Sequence, residues 1–97
     1  MTSDEYAFDA VMGLALAGRG PMAVARCTGL SPARVDDAYA DLMTDPDTRA
    51  EILDAQARRV FELEARGFDQ ARIALRIGIP EKRVQSVLLA ALSEGAA

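Results

Sequence analysis

The 97-residue chain contains no histidine and no tryptophan, and its one cysteine is Cys27. A single cysteine cannot close an intramolecular disulfide, and no histidine stands in the sequence to activate this thiol as a nucleophile. We therefore expect Cys27 to be a small buried side chain, and Met12, Met22 and Met43 to fill gaps in the core. Histidine is also the commonest general base and transition-metal ligand. Because no nucleotide-binding loop, catalytic triad or carboxylate pair is visible either, we predict no enzyme activity, metal, cofactor or small-molecule ligand.

Long apolar runs are also missing. No stretch approaches the roughly 18 apolar residues that a membrane span needs, and the first nine residues are acidic where a secretory signal would be basic. These features predict a cytoplasmic protein without membrane association. Aromatic residues make up only 5% of the chain, whereas hydrophobic residues make up 51% and are dominated by alanine and leucine. Such a balance favours packed helices over sheets.

Proline and glycine are few, and they separate six segments with helical periodicity. Ser31 and Asp69 stand where helix N-caps are expected. Several segments have a proline in their first turn, a position that suits proline. The sequence therefore predicts an all-α protein of about six helices. The predicted helices cover about residues 4–17, 21–27, 32–43, 47–66, 70–76 and 80–93.

The two halves of the chain match each other at an offset of 49 residues. Seven identities fall at helix and turn positions: Val11/Val60, Leu14/Leu63, Gly18/Gly67, Ala25/Ala74, Gly29/Gly78, Arg34/Arg83 and Val35/Val84. Two explanations are open for these identities. One is an ancient duplication, and the other is that two short helical pairs resemble each other because they meet the same packing requirements. In either case we predict two trihelical units in tandem, residues 1–44 and 45–97, which can pack as one compact domain.

The second half satisfies the packing demands of a helix-turn-helix. Ala74 is a small residue where two helices cross, and Gly78, four residues later, suits a turn with positive φ. Apolar residues on both sides of the turn point back to one core. These are Ile73, Ile77, Ile79, Val84, Val87, Leu88 and Leu92.

The run ARIALRIGIPEKRVQSVLLAAL, within Arg66 to Leu92, resembles region 4 of sigma factors and the LuxR-type DNA-binding domain. A weaker match, VARCTGLSPARVDDAYADL within Met22 to Leu42, is similar to the helix-turn-helix of many repressors. The resemblance implies a fold in which the second helix of the pair lies in the major groove of DNA.

The charge distribution indicates which half would read DNA. The net charge is −4, but residues 66–83 hold five basic residues against two acidic ones. We expect a small transcriptional regulator, from a phage or a bacterium, that reads the major groove with the helix starting at Pro80. The predicted DNA-binding residues are Glu81, Lys82, Arg83, Gln85 and Ser86 on that helix, with Arg66, Arg72 and Arg76 reaching phosphates.

The first half presents acidic residues on the corresponding helix, where Asp36, Asp37 and Asp41 would repel phosphates. We therefore expect it to bind a protein partner or to self-associate, giving an oligomer. The alternative function is an acidic protein-interaction module that uses the helix-turn-helix fold without sequence-specific DNA binding. Such a module would be an adaptor, an inhibitor or a phage packaging component.

Overall fold

A computed structural model describes the backbone of residues 3–95 and the side chains of residues 6–93. Within this range the chain forms six α-helices and no strand, which confirms the all-α, six-helix prediction. The helices are α1 (Ser3–Leu16), α2 (Pro21–Thr28), α3 (Pro32–Thr44), α4 (Pro46–Ala65), α5 (Gln70–Ile77) and α6 (Glu81–Gly95). None of these helices has the length and apolar character that crossing a bilayer requires.

Side-chain caps fix the start of three helices. The oxygens of Ser31, Asp45 and Asp69 accept hydrogen bonds from the backbone N–H three residues later, at 3.3, 2.9 and 2.8 Å. The Thr48 hydroxyl also donates to the Asp45 carboxylate at 2.6 Å. The pKa of Asp45 is lowered, because the hydroxyl and then the backbone N–H of Thr48 stabilise its ionised form. These local bonds explain why the positions where helices begin can be predicted from the sequence.

Helix α6 begins one residue later than predicted, at Glu81 rather than Pro80. The Pro80 carbonyl accepts hydrogen bonds from the backbone N–H groups of Arg83 at 2.9 Å and Val84 at 3.3 Å. Pro80 therefore occupies the capping position, where its carbonyl already accepts hydrogen bonds from the first turn of the helix.

Helices α2 and α5 have the same length, and they begin and end at positions 49 residues apart. Each ends at a glycine in the left-handed region, with φ of +74° at Gly29 and +84° at Gly78. The N–H of each glycine donates to a carbonyl four residues earlier, Ala25 at 2.9 Å and Ala74 at 2.8 Å. The predicted turn at Gly78 is thus confirmed, and the turn at Gly29 has the same backbone geometry.

The buried side chains form two clusters. The first consists of Val11, Ala15, Val24, Val35, Tyr39, Leu42 and Ile52. The second consists of Val60, Leu63, Ile73, Ala74, Ile77, Ile79, Val84 and Val87, so every inward position predicted between Ile73 and Val87 is confirmed. Because Ile52 belongs to α4 but packs in the first cluster, α4 contributes to both cores. The division into units at residue 44 stays a prediction.

The start of α2 packs directly on the end of α5. The Gly20 N–H donates to the Ile77 carbonyl at 2.7 Å, and the Met22 N–H donates to the Gly78 carbonyl at 3.3 Å. A Cβ atom on Gly20 would lie 2.3 Å from the Gly78 carbonyl oxygen. The two halves therefore meet backbone to backbone, at a point where glycine stands on both sides.

A buried polar contact joins α3 and α4 to the loop after α1. The Tyr39 hydroxyl donates to the Arg19 carbonyl at 2.8 Å and accepts from the Gln56 side-chain amide at 3.0 Å. Gln56 is only 4% exposed. Burial raises the pKa of Tyr39, and the hydrogen bond from Gln56 acts in the opposite direction.

We expect Tyr39→Phe to lower the free energy of unfolding by about 1–3 kcal/mol, because buried Gln56 and the Arg19 carbonyl lose their partner. Denaturant titration measures this change. The control is Tyr6→Phe, on a side chain that is 69% exposed, for which a change within about 0.5 kcal/mol is expected. Equal stability of the two variants would show that the Tyr39 contacts do not stabilise the fold.

Three predicted core side chains are not in the core. Cys27 is exposed, Met22 is 54% exposed and Leu92 is 70% exposed. Cys27 and Met22 lie on the outward face of α2, whose inward residues are Ala23 and Val24. Leu92 lines a shallow depression beside Leu88 on the surface of α4 and α6 instead of entering the core. The prediction that these residues are buried was wrong, because helical spacing shows which residues share a face but not where the neighbouring helix ends.

Candidate nucleic-acid interface

Helix α6 contacts only α4 and α5 within the described part of the chain. Its inward face is held by Val84, which is fully buried, and Val87, which is 7% exposed. No helix of the first half covers its opposite face. A two-turn surface at the start of α6 is therefore open to a partner.

The open face is a stripe of four exposed side chains, Lys82, Gln85, Ser86 and Leu89. Their spacing of three, four and seven residues places them on one side of a helix. The Ser86 hydroxyl donates to the Lys82 carbonyl at 3.0 Å, so its lone pairs stay available as acceptors. We call this set the α6 stripe.

Leu89 is the member of the α6 stripe that our sequence analysis missed. It is 56% exposed. Its spacing of seven residues from Lys82 places it on this face, but an apolar residue in a helix is ordinarily expected in the core. An exposed leucine gives the stripe an apolar end.

The predicted residues beside the stripe differ in exposure. Glu81 is exposed in the first turn, where its charge suits the helix N-terminus, while Arg83 is half-buried. Neither Lys82 nor Arg83 forms an ion pair with a described carboxylate. The ion pair seen among the described side chains is Arg58–Asp54, at 3.5 Å on the exposed side of α4. Among the described side chains, the start of α6 therefore carries two cations that are not paired with a carboxylate, against one acidic side chain.

The structure brings Arg72 and Arg76 together over the ring of Phe68. Their guanidinium carbons lie 5.6 and 5.7 Å from the ring centroid, within the range of a cation–π interaction. Both arginines are exposed on the outward face of α5. Arg66 is exposed at the end of α4 and takes no part in this ring contact. Two of the three predicted phosphate contacts thus form one cluster, which we call the Phe68 cluster.

The three predicted acidic residues of the first half, Asp36, Asp37 and Asp41, are all exposed on α3. Asp36 and Asp37 occupy the positions that Gln85 and Ser86 hold in α6. Asp36 lines a groove together with Leu75 of α5. This side of α3 is therefore turned partly toward the second half, in addition to being acidic.

The groove lies between α2, α3 and α5 and has a volume of about 400 Å³. Its lining is mostly apolar and comes from Pro21, Met22, Ala25, Pro32 and Leu75. The Arg26 guanidinium donates to the Leu75 carbonyl at 2.8 Å, across the two halves. The sequence does not predict this groove, because its α5 wall is 39 or more positions from the residues of α2 and α3 and meets them only when the halves dock. We call it the junction groove.

Comparison of the chain with protein-family models, with curated proteins and with solved structures finds no match. Among the described residues, no three histidine, cysteine, aspartate or glutamate side chains come close enough together to hold a metal ion. The interpretation of the α6 stripe therefore rests on its own residues and geometry.

Proposed function

We propose that this chain is a small DNA-binding transcriptional regulator of a phage or a bacterium, acting in the cytoplasm. The observation that supports this proposal is the α6 stripe. It lies on a helix whose other face is packed in the core through Val84 and Val87 and which follows a tight turn at Gly78, with φ of +84°. A helix that is fixed on one side and uncovered on the other can enter the major groove, which is about 12 Å wide.

The side chains of the stripe suit the edges of bases. Gln85 can pair with adenine through two hydrogen bonds, and Lys82 can donate to guanine. Ser86, whose proton is donated to the Lys82 carbonyl, can accept a hydrogen bond, and the exposed Leu89 can pack on the methyl group of thymine. The stripe thus offers a different type of contact at each helical position, which is what sequence-specific reading requires.

Phosphate contacts would come from arginines around the stripe. Arg83 lies beside it, and we keep Arg66, Arg72 and Arg76 as predicted phosphate contacts. Because the whole chain carries a net charge of −4, we expect non-specific affinity to be weak and sensitive to salt.

The first test of the proposal is the dependence of DNA affinity on salt. With four to five phosphates contacted, log K should fall with log salt concentration with a slope of about −4. Fluorescence anisotropy of labelled duplexes of mixed sequence measures this slope. Replacing Arg72 and Arg76 together with alanine should reduce its magnitude by about 2.

The matched control is Arg58→Ala, because Arg58 is a cation of the same half that already pairs with Asp54. We expect it to leave the slope unchanged. Absence of binding to any duplex at low salt would contradict the proposed function.

The junction groove supports a second candidate function. Its apolar lining and the adjacent acidic α3 suit a protein-interaction module, which would be an adaptor, an inhibitor or a phage packaging component. In that case the chain would bind protein at the groove and show no DNA affinity even at low salt. The same anisotropy titration separates the two candidates.

A further inference from the structure

The junction groove has walls of opposite charge. Asp36 stands on the α3 wall, and Asp37 and Asp41 continue the acidic surface along that helix. On the α5 wall, the Arg26 guanidinium is held at the Leu75 carbonyl. Arg34 also belongs to α3, but it already makes an interaction within the chain. One side of the groove is thus acidic and the other is basic.

The basic side extends beyond the groove. A second depression, of about 270 Å³, adjoins it and is lined by Phe68, Arg72, Leu75 and Arg76. Leu75 lines both depressions, so the Phe68 cluster continues the α5 wall. Three arginines, Arg26, Arg72 and Arg76, therefore flank this side.

The centre of the surface is apolar and exposed. Leu75 is 66% exposed and Met22 is 54% exposed. Large side chains this exposed, beside an apolar depression, are typical of an interaction surface. Leu75 projects beside a groove of about 400 Å³. An apolar projection and a mostly apolar recess therefore lie next to each other.

We propose that the junction groove is the interface of a twofold symmetric dimer of this chain. In such a dimer the same patch is used by both copies, and each residue pair occurs twice. A twofold axis through the apolar centre places the acidic α3 side of one copy against the basic α5 side of the other. Leu75 of each copy enters the groove of its partner.

Charge complementarity favours a second copy over a partner of uniform charge. A uniformly acidic partner would be repelled by Asp36, Asp37 and Asp41, and a uniformly basic one would be repelled by the three arginines. A second copy presents both signs in the arrangement that a twofold axis brings into register.

The size of the molecule is compatible with this interface. A standard interface buries about 800 Å² on each partner, which is about one eighth of the 6131 Å² surface of the described chain. The inference does not depend on DNA binding, because the groove is separate from the α6 stripe and dimerisation is measured without DNA. Arg72 and Arg76 belong both to the basic side of this interface and to the proposed phosphate contacts, so their replacement is expected to weaken dimerisation and DNA binding alike.

A charge swap tests the interface. Asp36→Arg alone and Arg72→Glu/Arg76→Glu alone should each weaken dimerisation at least tenfold, because every repulsive contact occurs twice. An equal mixture of the two variants should restore a dimer within about threefold of the wild-type affinity, since both contacts are then attractive again. Sedimentation equilibrium from about 1 µM to about 1 mM protein, without DNA, measures these affinities.

A neutral variant and its control complete the experiment. Leu75→Gln should weaken the dimer at least tenfold, whereas Leu92→Gln, at a leucine that is 70% exposed on α6, should leave it unchanged. Circular dichroism confirms that each variant is folded. The proposal is overturned by a wild-type chain that stays monomeric at every concentration, by a mixture that fails to restore the dimer, or by a dimer that Leu92→Gln disrupts and Leu75→Gln does not.

Discussion

Replacing Gly78 with alanine is expected to lower the free energy of unfolding by about 3 kcal/mol or more. Two costs add at this position. The φ of +84° is strained for any residue with a Cβ. The new Cβ would also lie 2.3 Å from the backbone nitrogen of Ala23 and 2.6 Å from its Cβ. A backbone neighbour cannot rotate away, so the start of α2 must be pushed off the end of α5.

Two matched variants separate these costs. Gly29 stands at the same turn of the first half, with φ of +74° and no atom within 4 Å of an added Cβ. Gly29→Ala should therefore cost only the conformational strain, about 1–2 kcal/mol. Gly20 has an ordinary φ of −81°, but its Cβ would lie 2.3 Å from the Gly78 carbonyl oxygen. Gly20→Ala should therefore show the steric cost without the strain.

Urea denaturation of the three variants gives their stabilities, provided that the dependence on denaturant is unchanged. We expect Gly78→Ala to be the least stable. If Gly78→Ala and Gly29→Ala are destabilised equally, then α2 does not pack closely against the turn of the second half, and the junction described here is wrong.

The features of the fold that follow from the sequence are local ones. Ser31 and Asp69 were identified as caps because the hydrogen bond they make spans only three residues. Gly78 was identified as the turn because glycine is the residue that adopts positive φ at least cost. The six helices and the second core follow from such signals together with apolar spacing.

The junction between the halves could not be predicted in this way. Helix α2 has only eight residues, so its pattern does not show which outward residues will meet another helix. Met22 and Leu75 are apolar side chains of a type usually found in a core, yet both are exposed beside the junction groove. Their exposure depends on how α2 docks on α5, and the spacing of residues along the chain does not show how two helices dock.

The exposure of the candidate site was predicted more completely, because α6 contacts only α4 and α5 within the described part of the chain. Lys82, Gln85 and Ser86 lie exposed on one face, as their spacing indicated. The pairing of Arg72 with Arg76 over Phe68 was missed, although all three lie within nine residues. The two arginines are four residues apart, and Phe68 precedes Arg72 by four residues. Helical geometry brings residues at this spacing together, so the cluster was predictable.

The second large effect is expected on DNA affinity. Replacing Lys82, Arg83 and Gln85 together with alanine should weaken binding to a specific duplex about 100-fold or more. Each good contact to a base edge contributes about 1–3 kcal/mol of discrimination, and every 1.4 kcal/mol corresponds to about tenfold in affinity. Lys82 and Gln85 are exposed and Arg83 is half-buried, so thermal unfolding of the variant must first show that the fold is retained.

The first half supplies the matched control. Asp36 and Asp37 hold in α3 the positions of Gln85 and Ser86 in α6, 49 residues later. If α3 stays out of the major groove, then Asp36→Ala/Asp37→Ala should leave DNA affinity unchanged or raise it slightly, because two negative charges are removed. Because Asp36 also lines the proposed dimer interface, this comparison is made at protein concentrations where the wild-type chain is monomeric.

The most direct test of DNA reading by α6 is therefore an anisotropy titration of one duplex, selected from a random pool, with the wild-type chain and these two variants at a fixed salt concentration. We expect the α6 variant to lose about 100-fold or more in affinity and the α3 variant to bind at least as well as the wild type. Wild-type affinity in a folded α6 variant would contradict the claim that α6 reads DNA.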